Sequence, residues 1–364
     1  MGHRKARRRG ARHAGLVVLS VLAACILGEV AFRIRYAFTT PMIVLDNELG
    51  WRTKENLDLR READTVPGRK SVVHVTTNAY GFRRFGDLRA ARPRILCIGD
   101  SFTFAKDVSD DETYYALLAN ALDAEIFAYG AEGYSTLQEY MVLDKYLDLI
   151  DPDVVVLQYC WNDLINNVLE LERESVLNNS GLRRPYLSDP GVLVYACPKA
   201  FGAFRDFANR RSRLLYSVLF RLDRALALSE VETPIEGEIA AEGTEHPGFK
   251  KAVAATDRIL GIIKRRCGAA PVLAFDVDAV APYHEALVRL SERNQIEYVP
   301  VAETLHQAKE QGLTPTVAPN AHWNVLGHRL CAEALAGYIA KLQRLQTEQD
   351  SGGSPETAPT GAER

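Results

Sequence analysis

"RILCIGDSFTFA" occupies residues 94–105: an apolar run stops at Gly99 and gives way to an aspartate, a serine and a phenylalanine. Apolar-then-small is the pattern of a buried parallel strand that ends and turns into a helix. In open α/β sheets ligands bind at such turns, outside the carboxyl ends of the strands. On this stretch alone Ser101 reads equally as a nucleophile or as a helix cap, because Ser and Asp are also the residues that most often begin helices.

The same pattern repeats along the chain. Strand-like runs at 94–98, 125–129, 153–158, 271–276 and 297–301 alternate with amphipathic stretches such as 112–122 and 136–149. Strands alternating with helices imply right-handed crossovers and a parallel sheet covered on both faces. The expected fold class is therefore α/β, a three-layer α/β/α sandwich with a five-stranded parallel sheet, in a domain over 92–345. The interval 164–250 breaks the rhythm with "RRPYLSDPGVLVYACPKAFG" and a basic amphipathic stretch around 203–229. As an insertion after the third strand it belongs over the strand ends, where Arg210, Arg211 and Tyr216 are candidates to line a substrate approach; a peripheral helix with solvated arginines is the other reading.

Three further stretches sit just past strand ends. The second strand runs into "YGAEGYSTLQ", with Gly133 in a tight turn; the third runs into "QYCWNDLINN", with Asn162 and Asp163 at its exit; after the fifth comes "APNAHWNVLGH", with His322 ahead of a helix. Acyl transfer needs a nucleophile, a base to take its proton, and donors aimed at the oxyanion of the tetrahedral intermediate. Ser101, His322, and the trio of the Ser101 backbone N–H, Gly133 and Asn162 match that inventory. Singly, Gly133 is also a turn glycine, Asn162 an Asx-turn and His322 a loop residue; together, at the same sheet edge, they favour the catalytic reading.

These residues carry a resemblance. The chain resembles the SGNH, or GDSL-type, hydrolases over roughly 92–342: "GDSFT" is similar to their block I, "GAEGYSTLQ" to block II, "WND" to block III and "NAHWNVLGH" to block V, while the upstream "LGWR" and "GFR" look like stretches of membrane-anchored bacterial members. The resemblance implies a flavodoxin-like sheet and hydrolysis or transfer of acyl esters, frequently on carbohydrates, without a cofactor. It implies Ser101 as nucleophile, Gly133 and Asn162 as oxyanion donors and His322 as general base. No G-x-S-x-G elbow is present, which disfavours the α/β-hydrolase family.

One position departs from the pattern. Where the family carries an aspartate two or three residues before the histidine, this chain has Pro319 and Asn320. An amide brings no charge to an imidazolium, and in a serine triad the acid-to-amide change costs about ten-thousand-fold in rate, although Cys-His-Asn arrangements do work. Three outcomes are open: Asn320 orients the imidazole, an acid from elsewhere replaces it, with Asp276 and Asp278 as candidates, or the site binds without turnover. Asp100 and Asp163 are candidate accessory acids, and His328 is a fallback base.

The amino terminus adds a location. Arg4, Lys5, Arg7, Arg8, Arg9 and Arg12 precede "AGLVVLSVLAACILGEVAF", apolar across 14–32 apart from Ser20 and Glu29. Such a span is just long enough to cross a bilayer, and the basic block predicts a cytoplasmic segment 1–13 with the catalytic domain periplasmic or extracellular. A lipoprotein box at "LAAC" and a signal peptide ending at Ala24 are the alternatives. The polar stretch 33–91 reads as a stalk packing partly on the domain, and 346–364 as a disordered tail.

A net charge of −3 argues against nucleic acid as a partner. Among the six cysteines Cys197 and Cys267 are an open pairing, and the absence of C-x-x-C and H-E-x-x-H leaves no metal signal. The expected partners are an acyl-ester substrate, chiefly carbohydrate, and the membrane. The contrasting expectation, motivated by Asn320, is a non-catalytic carbohydrate-binding or scaffold subunit of an envelope assembly.

Overall fold

The computed structural model describes residues 2–66, 68–175, 178–188, 191–229, 235–318 and 322–351. A long helix α1 (Gly2–Ala37) leads into two antiparallel pairs, β1 (Ile43–Leu45) with β2 (Trp51–Thr53) and β3 (Asp58–Val66) with β4 (Arg69–Thr76), and then β5 (Arg84–Phe85). Alternation follows: β6 (Arg94–Gly99), α2 (Ser101–Phe104), α3 (Tyr114–Leu122), β7 (Glu125–Gly130), α4 (Thr136–Ile150) and β8 (Val154–Tyr159). The long interval after β8 holds α5 (Asn162–Asn166), α6 (Leu169–Glu174), an antiparallel pair β9 (Arg184–Leu187) and β10 (Leu193–Ala196), α7 (Gly202–Arg211), α8 (Arg213–Ser229) and α9 (Ile235–Glu242). The chain ends with α10 (Pro247–Cys267), β11 (Val272–Asp276), α11 (Tyr283–Arg293), β12 (Glu297–Tyr298), α12 (Val301–Glu310) and α13 (Val325–Ser351).

The central sheet runs β12-β11-β8-β6-β7-β5. Its five long-expected strands are all parallel, in register Ile95↔Val154 and Arg94↔Glu125 around β6, and the sheet is the α/β sandwich the sequence predicts. The chain steps from β6 to β7 on one side and then crosses to β8 on the other. That reversal opens a crevice at the carboxyl ends of β6 and β8, the place where such sheets bind ligands.

Burial explains why these runs are strands. In β6, Ile95 and Cys97 pack with Tyr114, Cys331 and Leu335, whereas Leu96 and Ile98 pack with Leu137, Val142 and Ile263, so alternate side chains serve opposite layers. Both faces are covered, which is why β6, β7 and β8 are continuously apolar rather than alternating. α10 shows the helical counterpart: Phe249, Ala252, Thr256, Ile259, Leu260 and Ile263 are its buried stripe, Pro247 and the His246 cap open it, and Lys264, Arg265 and Arg266 lie at its negative end.

Three boundaries differ from the sequence expectation. The sheet has a sixth strand, β5, added antiparallel to β7 with Arg84 opposite Ala128. The fifth parallel strand stops at Tyr298 because Pro300 has no N–H to continue the ladder and Val301 starts α12; Val299 N still donates to Ala274 O at 2.8 Å. Helix α13 runs to Ser351, past the 346 boundary where a tail was expected, and 352–364 lie outside the described residues. Cys197 and Cys267 are separate buried thiols.

Segment 33–91 is built into the molecule. Trp51 and Phe82 are buried in the main core, and Leu57, Ala63, Val73 and Val75 enclose Phe104 beside the Ser101 turn. In α1 the stretch Gly15–Ala37 contains an 18-residue window of mean hydropathy 2.3, none of it buried, long and apolar enough to cross a membrane and also compatible with an export signal. It extends past the Phe32 limit read from the sequence.

Gly130, at the end of β7, fixes how closely the Ser101 turn approaches the sheet. A Cβ there would stand 2.4 Å from Phe104 N and 2.5 Å from Asp100 O, both backbone atoms that cannot step aside. Gly130→Ala is expected to cost about 3 kcal/mol in urea unfolding, as overpacking does. Gly337→Ala, in α13 with nothing within 4 Å of a new Cβ, is expected to be neutral or stabilising by up to about 1 kcal/mol. Equal effects at the two sites would contradict the packing argument.

Candidate active site

The question posed by Ser101 is answered by its neighbour. Asp100 is the N-cap of α2, its carboxylate accepting Phe102 N at 3.0 Å, so Ser101 is relieved of capping. The turn is held from across the crevice by Gln158 of β8, whose Oε1 accepts Asp100 N (3.0 Å), Thr103 N (3.1 Å) and Thr103 Oγ1 (3.0 Å) in a fully buried setting. Three donors on one amide oxygen leave the Ser101 turn little freedom.

His322 arrives on the loop before α13. Asn324 folds that loop: its Nδ2 donates to the carbonyls of Thr314 (2.7 Å) and Thr316 (3.1 Å), while its Oδ1 accepts Leu326 N (2.9 Å) and Gly327 N (3.2 Å) at the start of the helix. The imidazole lies edge-on to Phe102, ring centres 4.9 Å apart. Its Nε2 is 2.7 Å from Ser101 Oγ.

The other ring nitrogen faces an acid that sequence reading did not single out. His322 Nδ1 is 3.5 Å from Asp107 Oδ2, and the second oxygen of Asp107 accepts Arg61 Nη2 at 2.6 Å. Burial would raise this carboxyl, but hydrogen bonds from His322 and Arg61 and the nearby Lys106 charge outweigh it and bring it down to about 2. Asp107 is therefore ionised at neutral pH and can only accept. It favours the tautomer with hydrogen on Nδ1, which leaves Nε2 as the acceptor for the Ser101 hydroxyl.

Asp107 is itself clamped. Arg83, whose side chain is fully buried, donates from Nη1 to the carbonyls of Phe104 and Ala105, the latter at 2.9 Å, and from Nη2 to Asp110 at 2.8 Å. The guanidinium thus spans the turn from α2 to 110 that carries Asp107.

Opposite, Gly133 takes φ +66°, a conformation that glycine adopts without strain. Its loop is fastened on three sides. Trp51 Nε1 donates to Glu132 O (2.8 Å), the buried Arg184 donates from Nη2 to Gly133 O (3.0 Å), and Asn162 Nδ2 lies 3.3 Å from Tyr134 O. Arg184 also stacks over Trp51, 4.7 Å from the ring centre, and pairs with the buried Glu172 at 3.2 Å. Asn162 has further long contacts to Asn166 (3.3 Å) and Asp163 (3.5 Å), so one N–H can be exchanged for a ligand oxygen.

The other sequence candidates fall elsewhere. Asn320 and Pro319 lie outside the described residues. Asp276 holds His284 Nδ1 at 3.2 Å, its carboxyl pushed up by burial to about 6, and Asp278 pairs with Lys309 at 3.3 Å; neither faces His322. Asp163 accepts Cys160 N at 3.0 Å beneath the site; burial first, and then neighbouring acids, raise it and the buried Glu139 well above the carboxylate range. Burial also raises Asp100. His328 is fully buried, accepts Tyr114 N at 3.3 Å and is driven by burial down to about 3, a structural residue. Arg210 binds Asp206, Asn47 and the Asp46 carbonyl, and Tyr216 shares a 530 Å³ cavity with Tyr36 and Trp51.

The low carboxyl of Asp107 makes a stability statement. Because the folded state holds it below its ordinary value, it contributes stability above that value, on the order of 2 kcal/mol, which is lost as pH falls towards 2. Urea midpoints measured from pH 6 to pH 2.5 are expected to fall more steeply for the wild type than for Asp107→Asn. Parallel curves would show that the carboxylate is not held by His322 and Arg61.

No family model matches the chain, and no curated protein matches it either. Solved structures similar to it include a lipolytic protein of the G-D-S-L family from Veillonella parvula DSM 2008 (13% identity, 68% of this chain and 98% of that one, TM-score 0.36). A family 3 carbohydrate esterase from Clostridium thermocellum (13%, 70% and 98%, 0.39) and a lipase/acylhydrolase from Enterococcus faecalis (12%, 69% and 96%, 0.38) are similar to it as well. Likenesses this remote leave the chemistry to be argued from the side chains themselves.

Proposed function

We propose that the chain is a serine-dependent acyl-ester hydrolase, or an O-acyltransferase of the same mechanism, tethered by α1 with its catalytic domain outside the cytoplasm. One observation carries the reading: Ser101 Oγ at 2.7 Å from His322 Nε2, with Asp107 on the far side of the same ring. The order hydroxyl, imidazole, carboxylate is that of a nucleophile, its base and the group that orients the base.

Ser101 Oγ attacks the ester carbonyl as His322 Nε2 takes its proton. The imidazolium so formed is stabilised by Asp107, whose charge is in turn fixed by Arg61. The carbonyl oxygen becomes an oxyanion, received by the backbone N–H groups of Ser101 and Gly133 and by Asn162 Nδ2. Collapse expels the alcohol with the proton from His322. Water, or a sugar hydroxyl in the transferase case, then attacks the acyl-enzyme with His322 again as base, and Ser101 leaves protonated.

Asp107 bears on the departure at Asn320. Of the open outcomes, the geometry favours an acid from elsewhere, supplied by the turn after the nucleophile rather than by Asp276 or Asp278. An ionised partner for the imidazole speaks against a site that only binds. The resemblance to SGNH hydrolases supports an O-acylated carbohydrate of the envelope or exterior as the substrate class.

The test uses the full chain in detergent with a small acetyl ester and a fluorophosphonate probe. Ser101→Ala is expected to abolish both hydrolysis and labelling, and labelling that persists would refute the nucleophile. Asp107→Asn is expected to lower kcat about 10³–10⁴-fold with KM little changed, the loss seen when a triad acid becomes an amide. Asn162→Ala is expected to lose about 10²–10³-fold, as for one oxyanion donor. An Asp107→Asn variant with wild-type kcat would remove Asp107 from the mechanism.

A further inference from the structure

The interval after β8 carries an apolar surface that the Ser101 site does not use. Phe201, at the start of α7, and Phe204 and Phe207 within it are 84%, 54% and 61% exposed. Within the helix, Phe204, Phe207 and the exposed Arg211 recur at three and four residues and share one stripe, with Phe201 at the N-cap ahead of it. In α8 Leu215, Val218 and Leu222 are exposed, with Ala225 continuing their helical spacing. Scattered apolar side chains on a surface need no explanation, but two adjoining helices with continuous apolar stripes mark a contact surface.

What covers it is indicated by what the helices are joined to. The Glu29 carboxylate of α1 accepts Ser212 Oγ (2.7 Å), Leu214 N (3.0 Å) and Arg213 N (3.2 Å), and so caps the first turn of α8. Gly28 makes room for Leu214, whose Cδ2 would be 3.2 Å from any Cβ there. Arg33 donates to Arg211 O at 2.9 Å, and the Arg213 guanidinium lies 3.8 Å from the centre of the Tyr36 ring. The carboxyl end of the apolar stretch of α1, with Val30 and Ile34 exposed and Phe38 just beyond the helix, is thus joined directly to the segment that carries the stripes of α7 and α8. The exposed Arg211 and Arg221 stand beside them. Apolar stripes with basic residues at their margin are what helices lying in a headgroup layer present.

We propose that α7 and α8 form a second membrane-docking element, lying in the headgroup–acyl boundary of the bilayer that α1 crosses, with phospholipid as the partner. The inference rests on α1 being a bilayer span. It goes beyond anchoring, since a span alone leaves the domain free to swing, whereas a docked pair of helices fixes its orientation to the surface.

The test inserts tryptophan into the full chain, reconstituted in phosphatidylcholine vesicles with or without brominated acyl chains, and subtracts the background of the native tryptophans. Phe204→Trp and Leu222→Trp are each expected to lose at least half their added emission in brominated vesicles. Val72→Trp, exposed on β4, is expected to lose none. Leu22→Trp in α1 reports the span itself. If Leu22→Trp is quenched while Phe204→Trp and Leu222→Trp stay bright but yield to acrylamide, the docking proposal is overturned and the anchor stands. If none is quenched, the anchor fails as well. Protection of Phe204→Trp from both quenchers, with concentration-dependent cross-linking between chains, would give the surface to a second copy and equally overturn the proposal.

Discussion

A carboxylate held between a guanidinium and an imidazole sets the terms for the rest of the structure. Asp107 is largely withdrawn from water, and a withdrawn charge persists only where it is paired and hydrogen-bonded. Arg61 supplies the permanent partner and His322 the conditional one. The arrangement is asymmetric in a useful way: the guanidinium keeps the acid ionised whatever the imidazole does, so the electrostatic environment of the ring is in place before any proton moves. Preorganised charge of this kind avoids reorganisation at the moment of reaction.

That constraint explains why so much of the chain outside the α/β sandwich is built against it. Arg61 lies on the β3–β4 pair, and Arg83 just ahead of β5 pins the turn that bears Asp107. On the other rim Trp51 and Arg184 grip the Gly133 loop, one from segment 33–91 and one from the interval after β8. Buried guanidiniums are costly unless paired and hydrogen-bonded; here Arg83 donates to the carbonyls of Phe104 and Ala105 and pairs with Asp110, and Arg184 donates to that of Gly133 and pairs with Glu172. Both accessory segments are therefore structural parts of the site, a closer role than that of a stalk or a wall.

The parts that were legible in the sequence share a physical basis. β6, β7, β8 and β11 announced themselves because a strand buried on both faces must be apolar throughout, and the four motif stretches sat where a parallel sheet brings strand ends together. β5 is two residues long, with too little pattern to read, and β12 is shorter than its sequence suggests because "EYVPV" looks like a strand until the proline takes away its donor. Asp107 was invisible for a different reason. It sits in "KDVSDDE" among other acids of a turn, and what distinguishes it is the presence of Arg61 and His322, both remote in the chain. Asp276 and Asp278 lie at a strand end, where the sequence suggests an acid, but meet His284 and Lys309. Strand-end position is local information; charge partnership is not.

The same network continues towards α1. Glu29 caps α8, α7 precedes α8 directly, and Arg210 at the end of α7 reaches Asn47 and the Asp46 carbonyl. Asp46 accepts Glu48 N and Leu49 N, folding the turn that delivers Trp51, and Trp51 holds Glu132 O next to Gly133. An unbroken series of hydrogen bonds and covalent neighbours thus joins the apolar helix to the oxyanion side of the site. Contiguity of this kind does not by itself transmit a signal, which would require an element with two arrangements that both ends bias. What it does supply is a mounting: the Gly133 loop is braced, through polar contacts and covalent neighbours, on the apolar helix α1. Such bracing fixes the position of the Gly133 loop relative to α1 within the fold; how the whole molecule is oriented at a surface is a separate matter, decided by what α7 and α8 contact.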